Sequence, residues 1–214
     1  MKKFTILSIA ILIMVSAQAQ NCPGISVEPS SYEIPAGDTL TIVAVTKNTP
    51  ASVTYNWTIS NGTIISGQGT AMIKVNTAGL PEGAFITATL ELGGIPKSCT
   101  NTASASSEVI PAAQLVTSGR FTEGQELKNA VQQFIAATAF KDPENAGLCF
   151  IYLYPGAKTT EASMKIFRQA IISAFEYNKI LPHQYSIAEG GSKKLNHYEM
   201  YLVSERGGTP KPSN

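Results

Sequence analysis

The stretch Val53-Thr54-Tyr55-Asn56-Trp57-Thr58 decides the first half of the chain. Its large apolar members, Val53, Tyr55 and Trp57, fall at every second residue, with Thr54, Asn56 and Thr58 between them. Successive side chains of an extended chain point to opposite faces, so this pattern describes a strand with one face buried. The alternation recurs on either side: Leu40, Ile42 and Ala44 with Thr39, Thr41 and Val43 between them, then Met72 to Val75, then Phe85 to Leu90. Between these runs lie Pro35-Ala36-Gly37-Asp38, Asn61-Gly62, Ser66-Gly67-Gln68-Gly69, Gly79-Leu80-Pro81-Glu82-Gly83 and Gly93-Gly94. They supply the fixed or positive φ that turns need. Many short strands with no helical period predict a β-sandwich over residues 20–110.

The residues ahead of that region address the compartment. Lys2 and Lys3 form a short basic segment, Phe4 to Val15 is uncharged and mostly apolar, and Ala17-Gln18-Ala19 is a small-x-small cleavage signal. This is the layout of a secretory signal peptide over residues 1–19, with the exported chain starting at Gln20. The apolar run is shorter than the ~20 residues of a membrane span, and no later stretch reaches that length. Gln20 and Asn21 ahead of Cys22 are too bulky for a lipoprotein signal, so no lipid anchor is expected. Loss of Lys2 and Lys3 takes the 16 basic residues to 14 against 15 acids, a net charge of −1. Such a chain has no long-range field to draw in nucleic acid or an anionic membrane. Of the 3 cysteines, Cys22 and Cys99 fall in the first region and Cys149 in the second. In an oxidising compartment the simplest pairing is Cys22–Cys99, with Cys149 buried and free; three free thiols are the alternative.

Two details fit an immunoglobulin-like sandwich. Trp57 is the only tryptophan and lies on an apolar strand face, where a large buried anchor belongs. Cys22 opens the first strand and Cys99 the last, and in such sandwiches those strands can run side by side in parallel, bringing the two thiols together. The residues Tyr55-Asn56-Trp57-Thr58-Ile59-Ser60-Asn61-Gly62, then Ser66-Gly67-Gln68-Gly69-Thr70, then Ile73-Lys74-Val75 resemble the PKD-like subset of bacterial immunoglobulin-like repeats. The resemblance covers most of this region and implies a structural module without naming a ligand.

Val109-Ile110-Pro111-Ala112-Ala113 is the natural boundary, short enough to hold two domains close. Beyond it the period changes. Gln114 to Thr117 is a short strand, and Thr122-Glu123-Gly124-Gln125 has the form of a capping box. Leu127, Val131, Phe134 and Ile135 recur at helical spacing, and Lys141 to Asn145 breaks that helix. Leu148 to Leu153 is a continuous apolar strand. Thr160 caps a second helix whose stripe is Met164, Phe167, Ile171 and Phe175, ended by Leu181-Pro182. Tyr185 to Ile187 and His197 to Val203 are strands joined across Gly190-Gly191. The order predicts an α+β domain over residues 111–206, with helices on one face of a mixed sheet, followed by a flexible tail, 207–214.

That order, with Phe121-Thr122-Glu123-Gly124-Gln125, Phe150-Ile151-Tyr152-Leu153-Tyr154 and Arg168-Gln169-Ala170, resembles the OmpA-like C-terminal domain. In that family an Asp after the central strand and an Arg on the following helix hold the diaminopimelate group of peptidoglycan. Opposite charges held close suit a ligand that carries both ammonium and carboxylate groups. Arg168 or Gln169 stands near the helix Arg, while Tyr154-Pro155-Gly156 stands where Thr-Asp is usual, so the acid is missing. Apart from the resemblance, Arg168 reads as a solvated helix charge.

No catalytic set stands out. The two histidines, His183 and His197, lie in a loop and at a strand start, and Cys149 has apolar neighbours that suit an inert packing residue. No CxxC, HExxH or acidic calcium loop is present, and neither metal nor cofactor is expected. Gly190-Gly191 with Lys193-Lys194 reads as a hairpin turn with solvated lysines rather than a phosphate loop. Trp57 reads as core rather than a sugar platform, and Tyr198 and Tyr201 fall on opposite faces of their strand. The expectation is a non-catalytic exported envelope or surface protein: an immunoglobulin-like spacer or adhesive module with an OmpA-like docking module for peptidoglycan or an envelope protein. Its rival is a secreted carbohydrate-binding or adhesion protein whose second domain is a scaffold.

Overall fold

The computed structural model describes residues 22–138 and 147–213. Residues 1–19, read as a signal peptide, and Lys141–Asn145, read as a helix break, lie outside the described residues. Eight strands occupy the first part: β1 (Gly24–Pro29), β2 (Glu33–Pro35), β3 (Thr39–Lys47), β4 (Thr54–Ile59), β5 (Thr63–Ser66), β6 (Met72–Asn76), β7 (Phe85–Gly93) and β8 (Thr102–Ile110). They form two four-stranded sheets, ordered β1-β3-β6-β5 and β2-β8-β7-β4. Alternation sets the register. Leu40 lies opposite Val75 and Ile42 opposite Ile73 in one sheet, and Trp57 opposite Leu90 in the other. All six are buried, and both sheets send their inward side chains into one hydrophobic cluster. Each such side chain contributes roughly 1.5–3 kcal/mol through burial. Trp57 also donates its indole N–H to the Thr70 carbonyl at 2.8 Å, so its polar edge is satisfied inside that core.

The first strand is divided between the sheets. β1 pairs antiparallel with β3, whereas β2 pairs parallel with the last strand, β8. The crossing is held by backbone partners: the Ser107 hydroxyl donates to the Ser31 carbonyl at 2.7 Å, and the Glu108 N–H donates to the Tyr32 carbonyl at 2.8 Å. The parallel pairing therefore involves the second segment of this divided strand, not the one that Cys22 opens. Cys22 and Cys99 are nonetheless bridged, with Cα atoms 5.4 Å apart, and Cys149 is free and buried.

Residues Pro111-Ala112-Ala113 lead into a third four-stranded sheet. Its parts are β9 (Gln114–Arg120), α1 (Gly124–Ala137), β10 (Leu148–Tyr154), α2 (Glu161–Tyr177), β11 (Tyr185–Glu189) and β12 (His197–Val203), and its strand order is β11-β10-β12-β9. β10 runs parallel to β11 and antiparallel to β12, so the sheet is mixed. The two helices pack against each other, and their buried stripes, with Leu127, Phe134, Ile171 and Phe175 fully enclosed, meet Cys149, Ile151 and Leu153 of β10 in a second cluster. Thr160 caps α2 as its sequence implies, accepting from the Ser163 N–H at 3.2 Å. The α1 cap lies one residue later than the Thr-x-x-Gln reading. Glu123 is the N-cap, and the Glu126 carboxylate, not Gln125, takes the Thr122 and Glu123 N–H groups. A carboxylate accepts from two such donors better than an amide does.

Two further expectations change. β11 and β12 flank β10 on opposite sides, so residues 190–196 are a crossing over the end of β10 rather than a hairpin turn. Residues 207–213, read as a flexible tail, lie against the face of the sheet turned away from the helices: Pro210 is buried, and its carbonyl accepts from the Tyr152 hydroxyl at 2.9 Å. Among the described residues, no helix is long and apolar enough to cross a membrane.

The Cys22–Cys99 bridge spans 77 residues. Closing so long a loop constrains the unfolded chain by about 4 kcal/mol in the chain-entropy model. Reduction is expected to lower the urea midpoint followed by Trp57 fluorescence, by an amount equivalent to roughly 2–4 kcal/mol. An unchanged midpoint would show that the bridge does not constrain this core.

Candidate functional site

Arg168 follows Phe167 on α2. That position turns it away from the buried stripe and toward the edge strand β11. One guanidinium nitrogen donates to the Ile187 carbonyl at 3.2 Å, and another meets the Glu189 carboxylate at 2.7 Å. That carboxylate stands at the end of β11, 21 residues beyond the arginine. Glu161 and Lys165, from the first turns of the same helix, line the same open depression of about 400 Å³. Two acids and two bases therefore surround a shallow basin. The Arg168–Glu189 pair is a third to a half exposed, so it adds only about 0–1 kcal/mol to stability and is free to exchange partners.

Tyr154, the last residue of β10, lies elsewhere. It is fully buried on the face opposite the helices, and its hydroxyl donates to Glu199 of β12 at 2.5 Å. The Tyr201 hydroxyl donates to the same carboxylate at 3.0 Å, and the Ser213 hydroxyl donates to its other oxygen. Lys193 and His197 each approach that other oxygen to 3.6 Å, and Lys193 also sits 4.0 Å above the Tyr154 ring. Lys193 is therefore engaged rather than solvated. Glu199 is 4% exposed. Burial alone would push its carboxyl up; the hydrogen bonds from Ser213, Tyr154 and Tyr201, with the Lys193 charge, outweigh that and hold it below its ordinary value. His197 is shifted down, by burial first and then by Lys193, against the pull of Glu199. The cluster depends on a close approach at Gly190, where a Cβ would lie 2.1 Å from the Tyr154 ring.

The residues that could have made a thiol site stay apart. Cys149 points toward the helices, and burial raises its thiol well above the ordinary range. His197 lies on the opposite face of the same sheet beside Glu199, and His183 is exposed in a short helical turn, Pro182–Gln184. Tyr198 packs with the helices and Tyr201 faces away from them, as alternation requires.

No family model matches the chain, and no match was found among curated proteins or solved structures.

Because the native Glu199 carboxyl is held below 4.5, its contribution to stability is complete above about pH 4.5 and fades as the pH falls through the folded value. Urea unfolding between about pH 7 and about pH 3 is expected to show a steeper acid loss in the wild type than in Glu199→Gln. Identical acid limbs would contradict this role. Gly190→Ala is expected to displace the Tyr154 ring and destabilise the chain by about 1–3 kcal/mol, measured in the same titration.

Proposed function

We propose that the chain is a non-catalytic exported envelope or surface protein. Residues 20–110 serve as a PKD-like, immunoglobulin-like spacer or adhesive module, and residues 111–206 as an OmpA-like docking module for the cell wall. The observation that carries this reading is the Arg168–Glu189 pair in its open basin, with Glu161 and Lys165 beside it. A group bearing both an ammonium and a carboxylate can take Glu189 and Arg168 as separate partners, replacing one exposed ion pair with two charge-assisted contacts. The basin is lined by α2, the helix on which the resemblance puts a ligand-binding arginine, and the order strand, helix, strand, helix, strand, strand supports the same assignment. Export is supported by the leader pattern and by the Cys22–Cys99 bridge, a bond that persists in oxidising compartments.

Purified peptidoglycan is expected to retain the chain saturably, and Arg168→Ala and Glu189→Gln are each expected to weaken retention about tenfold or more. Both side chains are exposed enough that their loss leaves the fold in place. Absence of retention, or retention indifferent to both changes, would overturn the docking reading. If glycan-array binding then vanished with changes in residues 20–110, the carbohydrate-binding or adhesion reading would take its place.

A further inference from the structure

The sheet face turned away from the helices carries a row of aromatic rings. Phe150 and Tyr152 have centroids 5.0 Å apart, Tyr152 and Tyr154 6.1 Å, and Tyr152 and Tyr201 6.4 Å. Across this row lies Thr209-Pro210-Lys211-Pro212-Ser213, a segment of the chain itself. Its contacts are of the kind that read a peptide. The Tyr152 hydroxyl donates to the Pro210 carbonyl at 2.9 Å, and the Ser213 N–H donates to the Tyr154 hydroxyl at 2.7 Å. The Ser213 side chain completes the coordination of buried Glu199 and also accepts from Lys193 at 2.6 Å. Backbone groups are thus recognised at Pro210 and at Ser213, Pro210 itself is buried, and a hydroxyl is selected by a carboxylate. Aromatic grooves suit proline-rich peptides because such peptides are already extended and lose little entropy on docking.

We infer that this face is a peptide-recognition groove, occupied in cis by the chain's own tail, whose ligand class is an extended proline-containing segment with a serine or threonine three residues after the buried proline. The tail is attached through Gly207-Gly208, and Gly208 fits against Pro35 so closely that a Cβ there would lie 2.2 Å from the ring carbon Cγ. Lys211 meets Asp38 at 2.7 Å, so the same segment also bridges to the first part of the chain. Tethering gives the tail a high effective concentration, and an outside peptide must compete with it. The groove uses none of the residues of the Arg168 basin, so it stands or falls separately from the cell-wall reading.

The test uses the full chain carrying Gly208→Ala and Ser213→Ala, which weakens the tail and leaves the groove untouched. The probe is a fluorescent synthetic peptide with the sequence of residues 207–213. Anisotropy is expected to show saturable binding, at least about tenfold tighter to this variant than to the wild type. It should fall about tenfold or more when the peptide serine becomes alanine, the loss of one hydrogen bond to a carboxylate. No saturable binding to a variant that keeps its thermal transition, or equal binding of the alanine peptide, would overturn the inference. Should that variant not fold, hydrogen exchange of the wild type decides. Excess peptide is expected to speed exchange in residues 207–213, and unchanged exchange would overturn the inference.

Discussion

A strand in the middle of a sheet whose side chains are apolar on both faces must be covered twice. β10, Leu148–Tyr154, is such a strand. Cys149, Ile151 and Leu153 face the helices, while Phe150, Tyr152 and Tyr154 face the other way, and Ile151 through Tyr154 are all buried. The helices provide the first cover with a conventional apolar stripe. The second cover is the segment 207–213, in which Pro210 is buried while Thr209, Lys211, Pro212 and Ser213 are exposed. It closes the face through Pro210 and the hydrogen bonds that end on Tyr152, Tyr154 and Glu199. A buried carboxylate tolerates that position because its oxygens are met by three hydroxyl donors and a lysine.

The same logic accounts for what could be read in advance. Period-two runs such as Leu40-Ile42-Ala44 and Tyr55-Trp57 have one solution, a half-buried strand, and the structure places them there. The stripe Met164, Phe167, Ile171 and Phe175 has an equally narrow reading. Partners distant in sequence were not legible. The division of the first strand into β1 and β2 depends on Ser31 and Tyr32 finding Ser107 and Glu108, and no local signal marks those pairs. The glycine pair at 190–191 carries turn chemistry whether the chain folds back as a hairpin or crosses a neighbouring strand, so local composition could not separate the two.

The charged residues follow that division between local and distant information. Arg168 stands in a motif that the sequence displays, but its partner Glu189 sits at the end of an ordinary edge strand. Glu199 lies between Tyr198 and Met200 in a strand that reads as apolar, which is itself a clue: an acid on a covered strand requires donors. Those donors come from β10, β12 itself, the crossing before it and the tail, four segments that only the folded chain assembles. Low complexity of composition in Gly207 to Ser213 concealed the role of the segment, because glycine and proline signal disorder in isolation and close packing in context.

The C-terminal half of the fold rests on the second cover of β10, and nuclear Overhauser contacts in solution address it most directly. The fold described here predicts cross-peaks between Pro210 and Tyr152, and between the Ser213 amide and Tyr154. Random-coil shifts across residues 207–213, with no contact to either tyrosine, would contradict it.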